Sequence, residues 1–232
     1  MGWKRVDTTT TTLRKRLQTT TTARRIAGIA GAVAAFTVLS WAASSTTMHR
    51  WDQAVTAWLQ RSAPSFDLSA GVVVFLGNAE VLIPCIALAA IILFTRHRES
   101  GILGLWLAAG LTIAGLVAVG FKSLIVHPGP PPAFQRPGLN IGLNVTTPYS
   151  YPSGHTLRTT ILVGTVLRRI PWLAGALVLG MMTALVYLGA HWMSDVLGGL
   201  CLGWVALEIA AAARGRLAMG SRTARFPSCR LD

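Results

Sequence analysis

The chain has 232 residues, of which 52 % are hydrophobic and 12 % are charged, yet its formal net charge is +13. Soluble domains carry roughly 25 % charged residues, so this composition excludes an ordinary soluble domain. Apolar bulk combined with positive charge is typical of a membrane protein whose cytoplasmic ends are basic. Because the basic residues lie at the ends of apolar segments and not in an aromatic-rich stripe, we expect no nucleic-acid partner.

The two ends of the chain are polar and basic. Residues 1–25 are rich in threonine, arginine and lysine and predict a disordered cytoplasmic tail. The apolar run 26–43 predicts a first transmembrane helix; a signal peptide is the rival interpretation, which the long basic lead-in disfavours. Residues 214–232 predict a second basic cytoplasmic tail, so residues 26–213 remain as one membrane domain.

A mixed segment, residues 44–65, follows the first apolar run. Four large apolar side chains in it recur at the spacing of one helical face: Trp51, Val55, Trp58 and Leu59. This pattern predicts a helix that lies outside the membrane, with its tryptophans at the depth of the lipid headgroups.

Five further apolar segments predict spanning helices and complete an all-α bundle of six. They cover residues 66–94, 101–121, 153–167, 171–189 and 192–213. Glu80 lies inside the first of them, where an ionisable group can mark function, although a position at the membrane interface is the simpler interpretation. The stretch 123–151 contains six prolines and predicts a loop.

Lysine and arginine indicate the orientation of the bundle. With a cytoplasmic N-terminus and six alternating helices, sixteen of the 21 basic residues fall on the cytoplasmic side. This asymmetry is what the positive-inside rule requires. It places Lys122, His155 and His191 together on the extracytoplasmic side, and the helical hairpin between the two histidines should bring them face to face.

His191 and Asp195 are four residues apart at the start of a predicted helix, so they share a face. A carboxylate that binds one ring nitrogen fixes the tautomer and leaves the other nitrogen free. His191 is therefore a candidate nucleophile.

Ser153, Gly154 and His155 predict the start of another helix. Ser153 can cap it, Gly154 lets the backbone approach a ligand closely, and the helix N-terminus favours an anion. His155 is then a candidate general acid, and Lys122 adds a cation. A helix cap or an interface histidine explains each residue singly, whereas their joint placement predicts a phosphate site that requires no metal or other cofactor.

These residues resemble the type 2 phosphatidic acid phosphatase and vanadium haloperoxidase superfamily, over residues 50–213. Its pattern joins Lys-x6-Arg-Pro, Pro-Ser-Gly-His and Ser-Arg-x5-His-x3-Asp. Residues 152–155 match the second part, and His191 and Asp195 match the third. The resemblance implies that His191 forms a phosphohistidine, that His155 protonates the leaving group and that Asp195 orients His191.

Both phosphate-binding arginines of this pattern are missing. Gly129 and Leu185 stand in their places. Arginine grips phosphate bidentately, so the loss implies weaker transition-state stabilisation unless another group compensates. Arg136 and Arg158 are the candidates for this phosphate-binding role, and His127 is a weaker one.

The expectation is a cell-membrane enzyme that hydrolyses a lipid phosphate or diphosphate on the extracytoplasmic side. Phosphatidate, phosphatidylglycerol phosphate and polyprenyl diphosphate all fit an apolar groove with a basic end. Two alternatives stay open: a phospholipid headgroup transferase with the same His-His-Asp set, and a degenerate, non-catalytic lipid-binding homologue. The proline-rich loop 127–148 is expected to cover the site and to help select the substrate.

Overall fold

The computed structural model describes residues 8–62, 65–96, 98–136 and 149–223, which form eight α-helices and one short 3-10 turn, Pro132–Phe134. The helices are α1 (Thr8–Ala43), α2 (Thr46–Ser62), α3 (Asp67–Leu76), α4 (Ala79–Arg96), α5 (Arg98–Leu124), α6 (Gly154–Val166), α7 (Pro171–Tyr187) and α8 (Met193–Thr223). The predicted all-α class is confirmed for these residues.

Length and composition qualify three helical segments as membrane spans: Thr22–Ala43, Gly104–Leu124 and Met193–Ala212. The pair α3 and α4 qualifies as one broken span, bent by 52°. The described residues thus hold three or four candidate spans where six were expected. α6 has 13 residues and α7 has 17, fewer than the roughly 20 that cross a bilayer core. The number six therefore stays a prediction.

The expected disorder of residues 1–25 is wrong for residues 8–25, which form the first half of α1. Extending an existing helix costs far less than nucleating one. The ion pair between Arg25 and Glu208 of α8, at 3.7 Å, also fastens this part of α1. At the other end α8 continues to Thr223, into the predicted basic tail. Residues 1–7 and 224–232, the remainder of both tails, lie outside the described residues.

The predicted helix in residues 44–65 is present as α2. Its tryptophan face is exposed, with Trp58 at 61 %, as expected of side chains that meet lipid headgroups. A neighbouring face of the same helix carries Asp52 and Thr56, which are fully buried. The protein-facing side of α2 therefore includes two polar residues, which the apolar spacing did not indicate, together with Leu59, which packs against the core.

The segment predicted as one span, residues 66–94, is not one continuous helix, because the helix breaks at Gly77 and Asn78. Glycine and asparagine are poor helix formers, so the break falls where helix formation is weakest. A side chain at Gly77 would lie 2.5 Å from Met181 and 3.3 Å from the ring of His155. The break therefore lies directly against one of the two predicted site histidines.

Glycines on α8 allow close contact with the start of α6. A Cβ on Gly199 would lie 2.3 Å from the carbonyl oxygen of Ser153, and one on Gly203 would lie 2.7 Å from Thr160. Small residues one turn apart let two helices approach closely, as is common in membrane bundles. This contact brings the two histidine motifs together, and the N–H of Ser153 donates to the carbonyl oxygen of Asp195 at 2.9 Å.

Candidate active site

The His191–Asp195 pair forms as the spacing predicted. His191 lies just before α8, and its Nδ1 is 3.1 Å from Oδ2 of Asp195. The same oxygen accepts the backbone N–H of Trp192 at 2.9 Å. Because a carboxylate only accepts hydrogen bonds, Nδ1 carries the proton and Nε2 is the free nitrogen.

The environment of His191 favours its neutral form. Burial lowers its pKa, the hydrogen bond to Asp195 and the charge of that carboxylate raise it, and the charges of Lys122 and Arg158 lower it again. The net effect is a pKa below the ordinary 6.5. At neutral pH the free nitrogen therefore carries a lone pair, as a nucleophile requires.

His155 lies in the first turn of α6 and faces His191, as the hairpin argument predicted. The two ring centroids are 6.2 Å apart, with an angle of 63° between the planes. Ser153 caps the helix, because its Oγ accepts the N–H of Thr156 at 3.5 Å. The predicted helix start and its cap are thus confirmed, whereas the chemical roles of these residues stay predictions.

Asn78 is a site residue that the sequence analysis missed. Its side-chain oxygen lies 2.7 Å from Nε2 of His155, so it accepts the hydrogen of that nitrogen. The local signal for Asn78 in the sequence is the Gly-Asn pair inside an apolar run, two residues before Glu80. Glu80 is itself exposed, in agreement with the simpler interpretation of that residue.

Arg158 lies within the site. Its side chain is 8 % exposed, and Nη2 donates to the carbonyl oxygen of Gly77 at 3.3 Å. A Cβ on Gly154 would lie 3.0 Å from Nη1, so the guanidinium rests against the start of α6. Among the described residues Nε is buried without a hydrogen-bond partner. A buried N–H donor without a partner can bind an anion.

Arg136 has a different set of partners. Its Nη1 lies 3.1 Å from Oδ1 of Asp67 and also donates to the hydroxyl of Tyr187. The guanidinium carbon lies 4.8 Å from the centre of the Tyr187 ring, and the backbone N–H donates to Leu188 at 3.0 Å. These contacts tie the proline-rich loop to the ends of α3 and α7.

Lys122 lies in the last turn of α5 and is partly buried. Its charge is one of the causes that lower the pKa of His191, so it acts electrostatically on the histidine. His127 is 1 % exposed and contacts the Asp195 carboxylate.

The described part of the proline-rich loop packs onto the site. The indole N–H of Trp192 donates to the carbonyl oxygen of Pro128 at 2.8 Å, and the ring of Phe134 lies 5.5 Å from that of Trp192. Gly189, at φ +64°, lets the chain pass Phe134, since a Cβ there would lie 2.1 Å from its carbonyl oxygen. Residues 137–148, the rest of the predicted cover, lie outside the described residues.

The fold and the histidine pair define an all-α membrane protein with a two-histidine site. Residues 103–217, about half of the chain, match the family model of the PAP2 superfamily. The chain belongs to this superfamily, as its motifs predicted.

A solved structure supports the same fold. The chain is similar to the crystal structure of a transmembrane PAP2 type phosphatidylglycerolphosphate phosphatase from Bacillus subtilis, with a TM-score of 0.62 and 19 % sequence identity. The match covers 81 % of this chain and 96 % of the other. No curated protein sequence matches the chain significantly.

Proposed function

We propose that this protein is an integral membrane phosphatase that hydrolyses the phosphate or diphosphate group of a lipid through a phosphohistidine at His191. One observation carries the proposal: His191, bound through Nδ1 to Asp195, faces His155 across 6.2 Å. A nucleophile held by a carboxylate and facing a second histidine is the arrangement that a two-step phosphoryl transfer needs.

In the proposed first step, Nε2 of His191 attacks phosphorus and the bond to the leaving oxygen breaks. His155 gives its proton to that oxygen. Since Asn78 binds Nε2 of His155, Nδ1 is the nitrogen left to exchange the proton. A bound anionic headgroup favours the protonated form of His155. In the second step water attacks the phosphohistidine, His155 takes the water proton, and inorganic phosphate leaves.

We assign the compensating charge for the missing arginines to Arg158. Its buried guanidinium lies against the start of α6, and its Nε has no hydrogen-bond partner within the described ranges. Ser153, Gly154 and Lys122 complete the proposed phosphate site, in which helix N–H groups and two cations face one anion. Arg136 is the second candidate, and its ion pair with Asp67 would have to open for this role.

The proposed substrate is a membrane lipid with a phosphate headgroup. The structure with the similar fold is that of a phosphatidylglycerolphosphate phosphatase, which favours this class. Phosphatidate, phosphatidylglycerol phosphate and a polyprenyl diphosphate all belong to it. We further propose six spans, with both termini in the cytoplasm and the site on the extracytoplasmic side, because sixteen of the 21 basic residues then lie in the cytoplasm.

The test is phosphate release from a panel of these lipids by purified protein in detergent, with a chelator present. His191→Ala should abolish release, whereas His49→Ala, a partly buried histidine of α2, should retain it. A brief incubation with lipid labelled in its headgroup should leave an acid-labile, alkali-stable phosphoprotein in wild type but not in His191→Ala. Release that persists in His191→Ala would refute the proposed nucleophile.

Two other functions use the same residues. A headgroup transferase would give no phosphate in this assay but would transfer label to an added acceptor lipid. A non-catalytic lipid-binding protein would do neither, although it would still bind the lipids of the panel.

A further inference from the structure

A second buried acid–histidine pair lies behind Asp195, outside the three family motifs. It consists of His127 and Asp52, which are 1 % and 0 % exposed. His127 is in the loop after α5 and Asp52 is on α2, so the pair joins two elements to the start of α8. The mechanism proposed above uses neither residue.

Two polar groups hold the pair together: Nε2 of His127 and the hydroxyl group of Ser194. Nε2 of His127 lies 3.1 Å from Oγ of Ser194 and 3.5 Å from Oδ2 of Asp52. Ser194 donates its hydroxyl to Oδ2 of Asp52 at 2.6 Å and its backbone N–H to Oδ1 at 2.9 Å. Asp52 is therefore anchored to the same turn of α8 that carries Asp195.

The two oxygens of Asp195 have different surroundings. Oδ2 receives His191 and the N–H of Trp192. Oδ1 is buried and has no hydrogen-bond partner among the described residues, but it lies 3.5 Å from Nε2 of His127. An unpaired carboxylate oxygen is costly to bury, and a small turn of the imidazole would satisfy it.

The balance of charge favours a cationic His127. Burial lowers its pKa, but the hydrogen bond to Asp52, the charges of Asp195 and Asp52, and a hydrogen bond to the backbone of Ala43 together raise it above 6.5. With acceptors around the ring, both nitrogens can hold a proton. One imidazolium then lies between two buried carboxylates.

We propose that His127, held by Asp52, is a positioning residue that supplies a hydrogen-bond donor and a positive charge to the free oxygen of Asp195. Asp52, His127 and Asp195 then alternate in charge, and this row fixes the carboxylate that orients the neutral nucleophile, His191. The catalytic consequence of this arrangement rests on the proposed function, whereas the contact itself does not.

Titratable and aromatic groups from several elements surround His127 and His191. His127 faces Asp52 and His49 on α2, Ser194 and Asp195 on α8, and the ring of Tyr151 before α6. His191 faces Asp195 on α8, His155 and Arg158 on α6, and Lys122 on α5. Removing the charge of His127 should therefore strengthen the electrostatic attraction between the Asp195 carboxylate and a protonated His191, which raises the pKa of His191.

The experiment follows the histidine ring nitrogens by NMR in full-length protein, isotope-labelled on histidine and held in detergent. The chain has five histidines, and single variants assign them. In wild type, His127 should be doubly protonated at about pH 7. His127→Gln should raise the midpoint of the His191 titration by about one pH unit, and His49→Gln, in the same cluster, should leave it unchanged.

A neutral His127 at neutral pH in wild type would overturn the proposal, and this result requires no variant to fold. An unchanged His191 titration in folded His127→Gln would overturn it as well. Asp52→Asn provides a second variant, in which His127 should become neutral at about pH 7. Because these readouts need no turnover, a protein that hydrolyses no lipid yet shows the coupling would refute the proposed function alone.

If the protein is active, kinetics give an independent check. His127→Gln should lower kcat about tenfold or more with little change in KM, and the acid limb of its pH profile should move to higher pH. A purely structural role would lower the yield of folded protein without moving that limb.

Discussion

The side-chain oxygen of Asn78 lies 2.7 Å from Nε2 of His155, although 77 residues separate the two along the chain. This contact exists because the helix that would otherwise run through residues 66–94 breaks at Gly77 and Asn78. At the break, the polar side chain of Asn78 meets the start of α6. An unbroken apolar helix would place an apolar surface there instead. An apolar segment thus provides a hydrogen-bond partner for His155, the proposed general acid.

Replacing Asn78 with leucine should lower kcat about tenfold, because a hydrogen bond to an ionisable group is worth ~1.5–3 kcal/mol. Asn78→Asp keeps the oxygen acceptor and should retain most of the activity. Steady-state kinetics on the preferred lipid of the panel would measure both. Equal losses in the two variants would mean that the contact acts through packing and not through the acceptor.

Arg158 and Arg136 should respond differently to the same substitution. Arg158→Gln should lower kcat/KM by about two orders of magnitude, since it removes a cation from the phosphate site. Arg136→Gln should leave kcat/KM within about threefold and lower the melting temperature by a few degrees, because it breaks a partly exposed ion pair with Asp67. Kinetics and thermal unfolding of both variants decide the assignment, and the reverse pattern would transfer the phosphate role to Arg136.

The pH profile should reflect the lowered pKa of His191. The nucleophile must be neutral, so kcat/KM should rise with pH through that pKa, and the midpoint of this rise should lie below the ordinary value of 6.5. The same shift has a consequence for stability. The unfolded chain binds the proton more readily than folded His191 does, so this group reduces the free energy of unfolding as the pH falls below about 6.5. Rates and thermal unfolding measured across this range test both signs, and an acid limb above 6.5 would contradict the burial argument.

Gly189 should tolerate no side chain. Its φ is +64°, and a Cβ would lie 2.1 Å from the carbonyl oxygen of Phe134, so Gly189→Ala should destabilise the protein by about 1–3 kcal/mol. Gly175 on α7 provides the matched control, because a Cβ there meets no atom of the described residues within 4 Å. Gly175→Ala should be neutral or stabilising by up to about 1 kcal/mol. Chemical unfolding of the two variants would measure the difference, and similar values would show that the loop moves aside freely.

Local pattern determined much of the site in advance. The cap at Ser153, the four-residue spacing of His191 and Asp195, and the hairpin that pairs His155 with His191 all follow from helix geometry within short stretches. The composition likewise indicated an all-α membrane protein. These inferences succeeded because each depends on residues that are close in sequence or at the two ends of one hairpin.

Tertiary structure alone decided the rest. Asn78 meets His155 across 77 residues, and Asp52 meets Ser194 across 142. Arg136 is bound to Asp67, 69 residues away, whereas Arg158 lies beside the histidines with a nitrogen that has no partner in the part of the chain that the structure describes. No periodicity or spacing encodes such pairs, because they depend on how the helices pack and where one of them breaks. The sequence alone thus determined which histidines and which carboxylate form the centre of the site, and helix packing decided which side chains surround them.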